Sequence, residues 1–398
     1  MALYAQHGHA KSDKITNALD AGILKGVIFS PRNELPENLQ ECITELHAGH
    51  EADLLIDPQF YVAALPRPRE MKLVKYGYYP GSLSAADFVG TKKLKEYAKK
   101  TIDEQIALGA DAIISPTVIF DSFDDRWYQI ALNLADESLE YHASLSGPPR
   151  LLLNFALSES ALSFQDGIEE FLNQITSWEN ANGVYLFIAR TDPTYSQQID
   201  EVRLGNLLYL VHSLSKNGIE VICGYTDFLG VLLRAVGAKA FATGWYNNLR
   251  QFHKSAFMIK DPGGQPPRPR YSSGKLFNSI LLSELQLIHD VGELDGVLSG
   301  VTTDDIITAA ASGPASAQWT AQISCQHHWE TLAKMDSELT GNLSADLSHL
   351  LQKLEEAKAI YLVLRRAGVT FEGNSSEEHH LGAWVNAIQG FKTRLSLS

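Results

Sequence analysis

Eight short apolar runs, each separated from the next by a loop and a stretch with helical spacing, constrain the fold of this chain more than any other feature. They are ALYAQH (2–7), KGVIFS (25–30), ADLLID (52–57), ADAIIS (core 111–115), RLLLNF (150–155), GVYLFI (183–188), IEVICG (219–224) and AKAFATG (238–244). A strand that is apolar along its whole length is buried on both faces, and regular alternation with helices implies parallel pairing. Eight such units in about 245 residues match a closed barrel, so the expected class is α/β: a (β/α)8 TIM barrel. The open doubly wound sheet competes, but it carries a glycine-rich turn after its first strand, and HGHAKS is not one. Ser12, Pro36 and Thr226 stand where helices are expected to start, and Gly22, Gly109, Gly218 and Gly237 where helices hand over to strands.

Two additions to a minimal barrel are expected. Residues 61–88, between the third and fourth strands, carry YGYYPGS and read as a lid over the barrel mouth or as a packed surface excursion. The barrel is assigned to residues 1–274 and a helical C-terminal extension, including the last barrel helix, to 275–398. In that extension SADLSHLLQKLEEAKAIYLVLRRAG reads as one long helix capped by Ser344, closed by Gly368 and packed through its leucines.

Charge and cysteine content narrow the partners. A net charge of −14 repels polyanions, so nucleic acid is not expected as a partner. Three cysteines, far apart, suggest no disulfide framework and fit a cytoplasmic protein. No apolar stretch has the length of a membrane span.

Barrel sites lie at the C-terminal ends of the strands. Asp57 ends an apolar strand and is followed by Pro58, which stops the ladder and turns the carboxylate toward the mouth; it is expected as general base or nucleophile, or else in an ion pair with Arg32 or Arg190. Asp192 has the same Asp-Pro form. Of His7 and His9, His7 is expected as acid–base partner and His9 beside the substrate. Arg32, Gln59, Asn154, Arg190, Tyr225 and Trp245 complete a polar rim. Gly224 and Gly244, after strands seven and eight, would let a phosphate or an uncharged ring approach the backbone. The His-x-His pair alone does not make a metal site, because the later strands end in Ser115, Asn154, Arg190 and Thr243 with no histidine.

The stretch GYTDFLGVLLRAVGAKAF followed by NNLRQF resembles the last strand–helix–strand of the tRNA-guanine transglycosylase superfamily, and LLIDPQF stands where that family has Asp-Ser-Gly-Gly-Phe-Gln. The helical tail with Cys325, His327 and His328 occupies a position like the family's zinc-bearing extension. The resemblance implies a barrel with a catalytic aspartate at Asp57 and a pocket for a flat base. This sequence departs from the family at three places: Ala242 replaces the nucleophilic aspartate, Pro58 and Gln59 replace the two glycines, and one cysteine stands for three. Zinc is therefore not expected, although Cys325, His327 and His328 are its only candidates.

The expected function is that of an enzyme acting on a nucleobase-like or phosphorylated small molecule, by glycosyl transfer or hydrolysis. The alternatives are a non-catalytic barrel that binds a protein partner or a second copy through its helical tail, and a flavin-binding oxidoreductase.

Overall fold

The computed structural model describes residues 2–191, 197–259, 268–373 and 375–397. Eight parallel strands close into a ring: β1 (Leu3–Gln6), β2 (Gly26–Phe29), β3 (Asp53–Ile56), β4 (Ala112–Ile114), β5 (Arg150–Ser158), β6 (Gly183–Ala189), β7 (Glu220–Cys223) and β8 (Ala240–Thr243). Each pairs with its neighbour in sequence, and β1 pairs with both β2 and β8, which shuts the barrel. All eight apolar runs are strands, and the chain is a TIM barrel with a C-terminal helical region.

Seven helices follow the first seven strands: α1 (Lys14–Asp20), α2 (Pro36–Gly49), α3 (Thr91–Leu108), α4 (Arg126–Ala143), α5 (Gln165–Thr176), α6 (Glu201–Lys216) and α7 (Leu229–Ala235). Gly22, Gly109, Gly218 and Gly237 each have positive φ just past a helix, where a side chain would be strained. Two expected starts shift. Asp13, not Ser12, flanks α1. Thr226 precedes α7 by three residues and instead ties β7 to β8, its amide donating to the Ala242 carbonyl at 2.8 Å.

After β8 come a short helix α8 (Asn247–Arg250), an antiparallel hairpin of β9 (Arg270–Ser273) and β10 (Asn278–Leu281), and helices α9 (Leu282–Asp290), α10 (Asp304–Thr308), α11 (Ala321–Ser337), α12 (Leu343–Arg366) and α13 (His379–Arg394). α11 packs against α1, α7 and β1, and so takes the place of the barrel's eighth helix. α12 and α13 add an outer layer over α7 and α6. The cap of α12 is Asn342, whose side chain accepts from the Ala345 amide; Ser344 lies inside the first turn.

Barrel cores are built in layers drawn from alternate strands. The lowest layer comes from β1, β3, β5 and β7: the Tyr4 hydroxyl donates to Asp53 at 2.6 Å, and Arg150 pairs with Asp53 and, at 3.4 Å, with Glu220. Side chains alternate along a strand, so stepping four residues upward on the same strands gives the top layer: Gly8, Asp57, Asn154 and Gly224. The register therefore sets Asp57 and Asn154 together at the C-terminal mouth.

Candidate active site

Asp57 is fully buried. Its Oδ1 accepts from the Gln59 amide at 3.0 Å, and its Oδ2 from the Tyr61 hydroxyl at 2.9 Å and the Tyr225 hydroxyl at 3.4 Å. Among the described residues no lysine, arginine or histidine lies within ion-pair range of it, so the expected pairing with Arg32 or Arg190 is not realised. Burial pushes its carboxyl up to about 7, against the pull of the Gln59 amide and the two hydroxyls. Burial likewise holds Tyr61 and Tyr225 well above the ordinary phenol range, so both stay protonated and able to donate.

The backbone is bent to build this cluster. Gln59 (φ 50°) and Tyr225 (φ 52°) both adopt the left-handed conformation that costs a residue with a Cβ on the order of 1 kcal/mol or more. The Gln59 side chain is fixed on three sides: its Oε1 accepts from Ser30 Oγ at 2.9 Å and the Arg32 amide at 3.1 Å, and its Nε2 donates to Tyr225 at 3.4 Å. Asn154 is 1% exposed, and among the described residues neither its Nδ2 nor its Oδ1 has a hydrogen-bond partner. A buried amide without partners is an uncompensated desolvation.

The other rim residues lie apart from Asp57. Gln6 faces inward, accepting from the Tyr185 hydroxyl at 3.4 Å, so its neighbour His7 faces outward. There His7 packs on Phe29 and Trp245, its Nδ1 accepts from the Ser30 amide at 3.3 Å, and its Nε2 lies 3.6 Å from Glu34. That bond puts the proton on Nε2, and burial lowers the pKa of the ring. His9 is exposed and stacks on Tyr246, while its carbonyl accepts from Trp245 Nε1 at 2.8 Å. Arg32 staples two loops, donating to the Arg69 and Ala256 carbonyls at 2.9 Å and lying over Phe257. Arg190 forms a buried ion pair with Glu159 at 2.9 Å. Asp192 lies outside the described residues.

Both rim glycines are tightly packed on the side where a Cβ would stand. A Cβ on Gly224 would meet Tyr185 Oη at 2.2 Å, and one on Gly244 would meet the Gln6 carbonyl and Leu249, both at 2.5 Å. Above Asp57 the mouth is closed by Tyr61, Phe187, Tyr225, Phe252 and Phe257, with ring centroids 4.6–5.7 Å apart. The insertion is packed down over the same end: Tyr78 donates to the Pro58 carbonyl at 2.7 Å, and the Arg69 amide donates to Phe257 at 2.8 Å.

The tail residues weighed for zinc are held in packing. His328 is bound by Ser272 at 2.9 Å and lies 3.3 Å from both Thr243 and Asp227; His327 is bound by Thr303 at 2.7 Å and the Ser272 carbonyl at 2.8 Å. Burial raises the Cys325 thiol to about 12, and among the described residues no three His, Cys, Asp or Glu side chains converge as a metal requires. Burial also raises Asp227 to about 6.

Tyr61 and Tyr185 are the residues that strand-end reasoning misses. Tyr61 belongs to the insertion and Tyr185 to the middle of an apolar strand; the one signal for Tyr185 is its lone hydroxyl in GVYLFI.

No protein-family model matches the chain, and no curated protein matches it. Among solved structures it is similar to the dihydrodipicolinate synthase of Oceanobacillus iheyensis, over 99% of this chain and 96% of that one, at 11% identity and a TM-score of 0.32. The closed ring of eight parallel strands establishes the TIM-barrel fold by itself.

Proposed function

We propose that this chain is an enzyme that transfers a proton on a small, uncharged, nucleobase-like ring, with Asp57 as the acid–base group. One observation carries the reading: a fully buried carboxyl at the end of β3, with a pKa of about 7 and, among the described residues, no cation beside it, under two tyrosine hydroxyls. Such a group exchanges a proton near neutrality in either direction. Tyr61 and Tyr225 supply hydrogen bonds that stabilise the carboxylate or a developing oxyanion. The Asn154 amide offers one donor and one acceptor, the pattern that pairs with the N–H and C=O edge of a flat ring. Substrate entry requires Tyr61 and the phenylalanines over the mouth to part, so the arrangement represents the closed state.

A distant link to the tRNA-guanine transglycosylase superfamily fits an aspartate at position 57. Base exchange through that family's own nucleophile does not carry over, because Ala242 is an apolar, fully buried part of β8. The tight packing at Gly224 and Gly244 favours a second reading, a barrel that has given up catalysis and works as a binding or assembly subunit through α12 and α13.

Mass spectrometry of small molecules released from the purified protein, repeated with Asp57→Asn and Asn154→Ala, separates the two. The first reading expects a ring-shaped ligand that Asn154→Ala loses, and turnover of it that Asp57→Asn abolishes with folding intact. No released ligand leaves the binding-subunit reading, whereas turnover unchanged in Asp57→Asn removes Asp57 as the acid–base group.

A further inference from the structure

Where the chain leaves β8, a cleft of about 140 Å³ opens between Trp245, Arg250, Trp319 and the first turn of α11. Arg250 is 7% exposed, yet among the described residues no carboxylate lies within ion-pair range of it; its Nε donates to the Gly244 carbonyl at 2.9 Å. The carboxyl that feels its charge is Asp227, which lies beyond ion-pair range and is engaged by the Phe228 amide at 3.0 Å and His328 at 3.3 Å. Arg250 lines the cleft, and a guanidinium whose Nε is taken by the Gly244 carbonyl has further N–H donors to offer there.

The opposite wall is the N-terminus of a 17-residue helix. Thr320 caps it by accepting from the Ile323 amide at 3.2 Å, which leaves the amides of Ala321 and Gln322 outside the helix's own ladder, at its positive end. The flanking indoles have used their N–H groups, Trp245 on the His9 carbonyl and Trp319 on that of Arg270, so they present apolar surface. Arg268 and Arg270 also line the cleft, and both pair with Glu372.

We propose that this cleft binds the phosphate group of a small molecule, held between the Arg250 guanidinium and the Ala321 amide. A tetrahedral oxyanion accepts from both walls at once and neutralises the buried charge. The site differs from the glycine positions after β7 and β8, which are tightly packed, and it does not depend on Asp57 being catalytic.

Inorganic phosphate titrated against chloride at matched ionic strength, followed by thermal unfolding and calorimetry, tests the proposal on the whole chain. Saturable stabilisation in the millimolar range is expected. Arg250→Gln and Ala321→Asp should each weaken it at least tenfold, while Asp57→Asn leaves it unchanged. Ala321→Asp guards against a folding artefact, because a carboxylate in the first turn favours the helix while repelling the anion. No stabilisation beyond chloride, or equal stabilisation of both cleft variants, overturns it.

Discussion

The Tyr61 hydroxyl donates to Asp57 Oδ2 at 2.9 Å, so the first residue of the insertion closes directly on the carboxyl that ends β3. The insertion and the carboxyl are joined directly by this bond, so the protonation of Asp57 and the position of Tyr61 are linked through it.

Replacing Asp57 with Asn should flatten the pH dependence of stability. In the unfolded chain this carboxyl titrates near 3.9, and in the folded protein at about 7. Below about pH 4 both states hold the proton; as the pH rises toward 7 the unfolded chain releases it first, so stability falls, with a total loss on the order of 4 kcal/mol above pH 7. Urea denaturation of both proteins from pH 4 to 8 should give curves that diverge across this window, with the variant the more stable at pH 8. Asp227, at about 6, adds the same slope to both and cancels in the difference. Parallel curves would show that Asp57 titrates normally.

Tyr61→Phe and Tyr225→Phe each remove a donor that favours the carboxylate. Each should therefore raise the Asp57 midpoint above 7, Tyr61→Phe by about one unit, since a hydrogen bond to a charged group is worth roughly 1.5 kcal/mol or more. Carboxyl-carbon NMR titration reads the midpoint directly. A fall, or no movement, argues that these hydroxyls do not bond the carboxyl in solution.

Gly224→Ala puts a methyl group 2.2 Å from Tyr185 Oη inside the barrel. Overpacking of this kind costs about 1–3 kcal/mol, whereas an alanine at a solvent-facing strand end would cost little. Chemical denaturation should show a lower midpoint at unchanged slope. Wild-type stability would mean that Tyr185 swings away readily and that this end of the barrel has room for a ligand.

Glu159→Ala leaves Arg190, 7% exposed, without its 2.9 Å partner. Stranding a buried charge costs roughly 3–5 kcal/mol, while Glu159→Leu combined with Arg190→Met should recover most of it. Equal destabilisation of the single and double variants would assign Glu159 some role other than pairing Arg190.

The sequence revealed the barrel because continuous apolarity is a local property of each strand, and eight repeats of it leave one closed arrangement. The site was only partly legible. Asp57, Gln59, Asn154 and Tyr225 were visible as polar residues at strand ends, and the structure gathers Asp57, Gln59 and Tyr225 into one cluster. His7 was misread because strand parity decides which of two adjacent residues faces inward, and the parity of β1 depends on pairing with β2 and β8. Gly224 and Gly244 looked open because sequence shows a missing side chain and not the distant Tyr185 or Leu249 that fills its place. Arg250 drew no notice, since only the absence of a partner sets it apart.

Asp336 near the end of α11 accepts from the Ala2 amide at 2.8 Å and from Arg234 of α7 at 2.9 Å. The first strand is thus fastened by a residue more than 330 positions later. During synthesis the earliest segment must wait, unlatched, until α11 has emerged, and contacts of such long sequence separation slow folding. Until then the two edges of the ring, β1 and β8, lack the helix that covers their seam, and that open seam is where a half-made chain is most exposed to pairing with another.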